Sequence, residues 1–544
     1  LALLQQALVA HYKTGANSAF ELQANEAMSL IESMRETMVA SDQGPRWNAR
    51  TSDVQSLVVE HRLERYLSTN DAEHLQSAFW LIQNNRARTL REKRLQSGRQ
   101  QKLDERAYLF WQVMVEKKRD FLRASLQQTT AVQESEITAL EREYLGAKEV
   151  WLQSRPQENE VKQPITLGLS DIQALLEPES LALSYYLGSE ASYGVWVSHN
   201  DAGVFRLPDR ASLEITLATA LNGLETQSHD SDELAALGGV LLGELDASAT
   251  TLLLETDGIL SLLPFAALSF SDHEPLVDKF AMINVPSLSQ YFTASDNQTP
   301  FQRLSVAVIA DPKSSLSGGI EVPSEYRSWR NGLGRLPYTR VEADAILEVF
   351  DEDKSKAFFG ENATIKNLMS SDFRSSRILH IASHGFASST NPHFRGLVLA
   401  DDLDNSGLLT SDEIEASRFF NDLVVISGCE TGRGEMLKGE GLLSVARGFL
   451  ERGAGATIAT RWPVSDRANA EFMALFYSAV AEGLSIPASL QSAQSTLRQM
   501  PRYKKPYYWA AFVLEVAAKD SLILAEVSTR PGDSRFSTSQ KVLR

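Results

Sequence analysis

The chain has 544 residues, with 53 Lys plus Arg against 70 Asp plus Glu, 43% hydrophobic residues and a single cysteine. That length predicts about three or four domains with ample chain for sizeable cores, and charged residues break every apolar stretch before the ~18 positions a membrane helix needs. The lone Cys429 excludes an internal disulfide and a Cys-based structural zinc site, and fits a reducing, cytoplasmic setting. The chain opens at Leu1 without a basic start, apolar core or small-residue cleavage site. Residues 1–150 hold 20 basic and 20 acidic side chains, so the net charge of −17 falls entirely on residues 151–544. That sign argues against direct nucleic-acid binding, which needs a basic face to displace counterions from phosphates.

Residues 1–98 carry apolar positions at helical spacing. Val54, Leu57, Val58, His61 and Leu63 mark one stripe in 53–67, and Leu75, Phe79, Ile82 and Leu90 mark another in 71–94. Breaks near 42–45 and 68–71 separate the helices. Paired helices that cannot bury their faces alone are consistent with tetratricopeptide-type repeats. The basic stretch Arg86, Arg88, Arg91, Lys93, Arg94, Arg99, Lys102 and Arg106 is expected to be an exposed helix face. Stretches 103–128 and 137–152 predict a long helical hairpin within 99–160.

From about residue 165 the pattern becomes short β-branched runs alternating with helices, which predicts an α/β unit over 161–330. Its strands are expected at 181–187, 194–197, 251–255, 281–285 and 305–310. A Ser-, Gly- and Pro-rich stretch at 311–336 reads as a linker. A second α/β unit spans 331–518, with strands at 378–382, 396–400, 423–427, 456–460 and 508–515. Helices are expected at 341–350, 411–417, 441–451, 465–482 and 486–499. Thr410 and Glu413 have capping-box spacing at a helix start. Residues 519–544 read as a loose tail.

Two strand ends carry the chemistry. His384 follows the apolar strand Ile378–Ala382 and precedes Gly385, and Cys429 follows Leu423–Ser427 through Gly428. Functional groups of doubly wound sheets gather beyond the carboxyl ends of strands. The separation of 45 positions between His384 and Cys429 leaves room for a hairpin and a crossover helix, which would make the two strands neighbours. A thiol of pKa about 8.5 needs a base to become a nucleophile. The backbone N–H groups of Gly385 and Cys429 are the candidate oxyanion donors. His380, on the same strand face as His384, is read as a packing or hydrogen-bonding residue, and His393 as a solvated loop residue. The glycines of 432–441 lack the Lys-Ser/Thr ending of a phosphate loop and predict a loop over the site. No metal or cofactor is expected.

With LPFAAL at 263–268, Val285-Pro-Ser287, Glu342-Ala343, the His384 and Cys429 motifs, Arg461-Trp-Pro-Val-Ser-Asp466 and Tyr508-Trp-Ala-Ala-Phe-Val513, the sequence resembles the CHAT proteases. These are caspase-like peptidases related to separase and often joined to tetratricopeptide repeats. The resemblance covers roughly residues 165–517 and implies an α/β caspase-like fold. Non-catalytic and catalytic α/β units would surround mostly parallel sheets, behind an N-terminal all-α repeat region. It implies His384 as general base and acid, Cys429 as nucleophile, and Gly385 and Cys429 as the oxyanion hole. Metacaspase-like relatives carry Asp two positions before the Cys; here that position is Ser427. Asp466 falls where the separase-like pattern has an Asp. Asp466, Ser427 and Glu430 are therefore the candidate pocket residues, and Ser465-Asp466 reads equally well as a helix start.

The expected function is limited, regulated endoproteolysis of a protein substrate. The helical N-terminal part would recruit a regulatory protein partner, and the family's roles in bacterial defence suggest a setting. The alternatives are a catalytically silent caspase-like scaffold and an RNA-associated regulatory subunit.

Overall fold

In the computed structural model, the described residues up to Ser154 are almost all helical and strands begin at Ser180. It describes residues 17–36, 44–97, 105–126, 131–154, 164–228, 231–243, 249–270, 274–294, 303–314, 336–387, 391, 393–402, 407–428, 434–437, 441–522 and 524. The helices are α1 (Asn17–Glu36), α2 (Gly44–Thr69), α3 (Ala72–Asn85), α4 (Arg88–Ser97), α5 (Glu105–Leu126) and α6 (Ala131–Ser154). Asp71 caps α3, its carboxylate accepting the Glu73 amide at 3.0 Å. The single helix expected over 71–94 is broken at Arg86–Ala87, where Ala87 takes φ +44°.

That break has a purpose. Arg86 turns inward, 3.1 Å from Asp257 and 2.5 Å from the Tyr185 carbonyl. Arg88 reaches Glu32 at 2.6 Å, and Arg91 donates to the carbonyls of Gln83 and Ile165. All three are buried. The expected exposed basic face is thus corrected: at these arginines the stretch is an internal ion-pair seam, because each guanidinium finds a carboxylate or a row of carbonyls to replace water.

The chain divides into two compact units, one of 1–96, 157–294 and 436–443, the other of 97–156, 295–435 and 444–544. In the first, β1 (Ser180–Leu187), β2 (Ser192–Val197), β3 (Ala202–Leu207), β4 (Thr251–Glu255) and β5 (Ala281–Asn284) are ordered β3-β2-β1-β4-β5. β1 runs parallel to β4 and β4 to β5, while β2 and β3 are antiparallel additions. Helices α7 (Arg210–Glu225) and α8 (Ser231–Leu242) precede β4. The N-terminal helices join this unit through buried polar contacts. Gln83 donates to both oxygens of the fully buried Glu255 at 2.9 and 2.8 Å. Glu60 accepts the amides of Ser189, Glu190 and Ala191 at 2.6, 3.1 and 3.1 Å. A Cβ on Gly188 would lie 2.2 Å from both Ala191 O and Glu60, so only glycine lets the carboxylate enter this turn.

In the second unit six strands are ordered β16-β15-β12-β8-β6-β7. They are β6 (Val306–Pro312), β7 (Ser355–Gly360), β8 (Ile378–Ala382), β12 (Leu423–Ser427), β15 (Ala456–Thr460) and β16 (Phe512–Val516). All pairs are parallel except β15–β16. β8, β12 and β15 are buried along their whole length, as strands covered on both faces must be. A separate antiparallel sheet, ordered β11-β10-β9, consists of β9 (His384–Ala387), β10 (Arg395–Val398) and β11 (Leu408–Thr410). The other helices used below are α9 (Tyr338–Val349), α10 (Ser411–Ala416), α11 (Val445–Glu451), α12 (Asp466–Ala481) and α13 (Ile486–Gln499).

Leu379 and Ile381 of β8 join Val424 and Ile426 of β12 in a core with Ile414 of α10 and Val445 and Phe449 of α11. His380 points to the opposite face by strand alternation. Two local expectations change. The helix expected over 441–451 opens as strand β14 (Gly441–Ser444), which pairs with β13 (Gly434–Leu437) where a loop was expected, and α11 starts only at Val445. The strand expected over 508–515 begins as a helical turn at Pro506–Trp509, because proline at a helix start is preorganised for the turn. The linker stretch 315–335 lies outside the described residues.

Candidate active site

The site is set by strand register. β8 and β12 are parallel neighbours, paired from Ile378↔Leu423 to Ala382↔Ser427. From the last pair the chain continues on one strand through buried Ser383 to His384, and on the other through Gly428. His384 opens β9, where it pairs with Val398, and buried Gly385 pairs with Leu397. The imidazole therefore sits where the parallel sheet hands over to the small antiparallel one, half-buried. The Gly428 carbonyl is fixed by the Thr460 hydroxyl at 2.8 Å. Cys429 and Glu430 lie outside the described residues.

Ser427 is buried, and its hydroxyl oxygen accepts the Asn469 side-chain amide at 2.5 Å. Asp466 begins α12 and its carboxylate accepts the Tyr338 amide at 2.9 Å, joining the first turns of α12 and α9. Burial pushes the Asp466 carboxyl up to about 6; the Tyr338 amide opposes the rise and the negative charges of Glu342 and Asp311 add to it.

Beneath these residues runs a polar network that sequence reasoning did not assemble. Asn469 also donates to Glu342 Oε2 at 3.1 Å, Glu342 Oε1 lies 2.9 Å from His380 Nε2, and His380 Nδ1 is 3.0 Å from the Tyr477 hydroxyl. Glu342, His380 and Tyr477 are all buried. Burial and the Glu342 charge hold the Tyr477 hydroxyl well above its ordinary pKa, so it stays protonated. The network ties the floor of the β12 end to α9 and α12. Its signal in the sequence is the spacing of Asn469 and Tyr477, two polar residues eight apart on an otherwise apolar face of one helix.

His393 departs from its expected solvated state. It is partly buried, edge-on to Tyr144 with ring centroids 5.5 Å apart, and burial with the Lys118 and Lys148 charges holds its imidazole down to about 3. Among the described residues no group of three His, Cys, Asp or Glu side chains is placed to hold a metal ion, and no helix is long and apolar enough to cross a membrane.

A family model described as the CHAT domain matches residues 232–516, more than half of the chain. The chain belongs to the CHAT-domain family. The match runs through β4 to β16 and so includes both strand ends that frame the site. The curated relatives of this CHAT protein include tetratricopeptide repeat protein 28 of Mus musculus, 26% identical over 300 residues, and that of Homo sapiens, 25% identical over 304. Each alignment takes in 48% of this chain but 12% of the relative, so the CHAT chain spans a small part of the curated proteins it matches. Among solved structures, the Saccharomyces cerevisiae separase–securin complex aligns with a TM-score of 0.47 at 12% identity, covering 95% of this chain and 40% of that one. The complex of the Porphyromonas gingivalis RgpB pro- and mature domains aligns with a TM-score of 0.36 at 10% identity, covering 58% and 78%. The mostly parallel strand order of the second unit, with helices between its strands, is that of an α/β protein.

Proposed function

We propose that this CHAT protein is a cysteine endopeptidase performing limited, regulated cleavage of a protein substrate. The observation that carries the reading is the β8–β12 register: His384 and Cys429 each follow the paired residues Ala382 and Ser427 by two positions, on adjacent parallel strands. Membership of the CHAT family supports it.

In this reading His384 accepts the Cys429 thiol proton and the thiolate attacks the scissile carbonyl carbon. The carbonyl oxygen becomes an oxyanion held by the N–H groups of Gly385 and Cys429, a contribution of about 3 kcal/mol per donor. His384 returns the proton to the leaving amine as the C–N bond breaks, leaving a thioester. It then takes a proton from the attacking water, and Cys429 departs to release the new carboxylate. Asp466, Ser427 and Glu430 are the pocket candidates; an ionised Asp466 would favour a basic residue before the scissile bond. A regulatory protein partner would engage the helical N-terminal region, whose Glu60 and Gln83 reach the β1–β2 turn and the end of β4.

The test is Cys429→Ala and His384→Ala in the full chain. Each is expected to lower cleavage of a trapped protein substrate by at least about a thousandfold while the melting temperature holds. Retained cleavage in either variant overturns the dyad.

A further inference from the structure

The strand that begins at His384 leans on the α5–α6 hairpin. Phe121 and Leu122 of α5 pack with Phe386 of β9, Phe394 and Val398 of β10 and Leu408 of β11, flanked by Ile137 and Leu140 of α6. Phe386 lies two residues past His384. Its ring sits over Gly396, where a Cβ would meet the ring at 2.7 Å and Leu409 O at 2.4 Å.

Polar contacts fasten the same sheet at both ends. At the β9–β10 connection, the fully buried Lys118 ammonium donates to the His393 carbonyl, and Asn391 donates to Glu141 at 2.8 Å. At the end of β11, Asp412 lies 3.6 Å from Lys118 and 3.1 Å from Lys148, and accepts the Tyr144 hydroxyl at 3.1 Å. Arg119 reaches Glu413 at 2.5 Å, and Glu413 closes a capping box with Thr410. Lys118 also lies 4.3 Å from the Tyr144 ring centre. Arg395 and Glu415 are the other charges close enough to act on Lys118.

Burial lowers Lys118 to about 8 against the pull of Asp412, and it remains charged at neutral pH. Burial works to raise Asp412, but Lys148 and Lys118 outweigh it and hold the carboxyl far below its usual range. A buried ion pair adds little net stability over an apolar pair of the same shape. What it fixes is geometry, since the ammonium must satisfy a carbonyl of one connection and a carboxylate of another at once.

We propose that Lys118 is a positioning residue for His384: with Asp412 it locks the β9–β10–β11 sheet to the α5–α6 hairpin and so holds the imidazole at its station beyond β8. This rests on the His384–Cys429 dyad proposed above. The rungs that transmit the lock are continuous, His384↔Val398 and Val398↔Leu408.

Because Cys429 is the sole cysteine, iodoacetamide reports on it alone. The experiment measures its alkylation rate against pH, with hydrogen exchange of residues 384–398, in the full-length wild type, Lys118→Met, Asp412→Asn and the exposed-pair control Lys117→Met. The excess alkylation rate at about pH 6 that His384→Ala abolishes is expected to fall about tenfold in Lys118→Met and Asp412→Asn, with exchange at 384–398 about tenfold faster. Lys117→Met should match the wild type. Wild-type alkylation and exchange in Lys118→Met overturn the positioning role. If His384→Ala leaves wild-type alkylation unchanged, the dyad fails instead, and the exchange rates alone decide the lock: unchanged exchange overturns it and faster exchange supports it. Should Lys118→Met not fold, Asp412→Asn is read by the same two measurements.

Discussion

Asp466 joins two demands on one carboxylate: it accepts the Tyr338 amide, and it stands where a pocket acid is expected. Its folded value near 6 lies above its ordinary 3.8, so the folded chain holds this proton more tightly than the unfolded one. The group therefore favours the fold at low pH, and that contribution is lost as pH rises from about 4 through about 6. If the same carboxylate recognises a basic residue, specificity moves the other way. The ratio of kcat/KM for an arginine over a leucine peptide should fall about tenfold between pH ~7.5 and pH ~5, and Asp466→Asn should flatten that dependence; a flat wild-type ratio removes Asp466 from the pocket. At this scale the sequence made the place of His384 and Gly385 legible, just past an apolar strand. It did not make the Glu342–His380–Asn469 network legible, since its Asn469–Glu342 contact joins residues 127 apart that no local pattern links.

β8, β12 and β15 agree with the sequence expectation to the residue, because a strand buried on both faces is a continuous apolar run whose ends are its polar neighbours. β7 was missed: it is half-buried throughout and carries Lys356 at its start, the pattern of an edge strand. β10 falls within a residue or two of the strand expected over 396–400, but β9 and β11 are only four and three residues long, too short for any periodicity, and all three pack on the hairpin beneath them. Gly396 is where this small sheet is tightest. Gly396→Ala should lower stability by about 1–3 kcal/mol in urea unfolding, because Leu409 O and the Phe386 ring must both give way. An unchanged midpoint would mean that the sheet yields without cost.

The N-terminal helices, which composition presents as a detachable recruitment region, are wired into the first unit by buried charge. Arg86→Ala leaves Asp257 without its guanidinium partner beside the buried Glu255, and should cost about 3–5 kcal/mol by denaturant unfolding; a loss below about 1 kcal/mol would return the helices to an accessory role. Arginine clusters are legible as charge, but whether Arg86 faces water depends on Glu255 and Asp257, which belong to a distant stretch of the chain. The α5–α6 hairpin raises a further matter, that of time. Lys118 awaits His393, 275 residues downstream. At the usual ~5–20 residues per second of synthesis, Phe121 and Leu122 stand uncovered on the ribosome for about 14–55 s before their sheet exists. The helices can form in microseconds but the seat they pack into cannot, so during that interval the nascent hairpin presents an apolar face to chaperones.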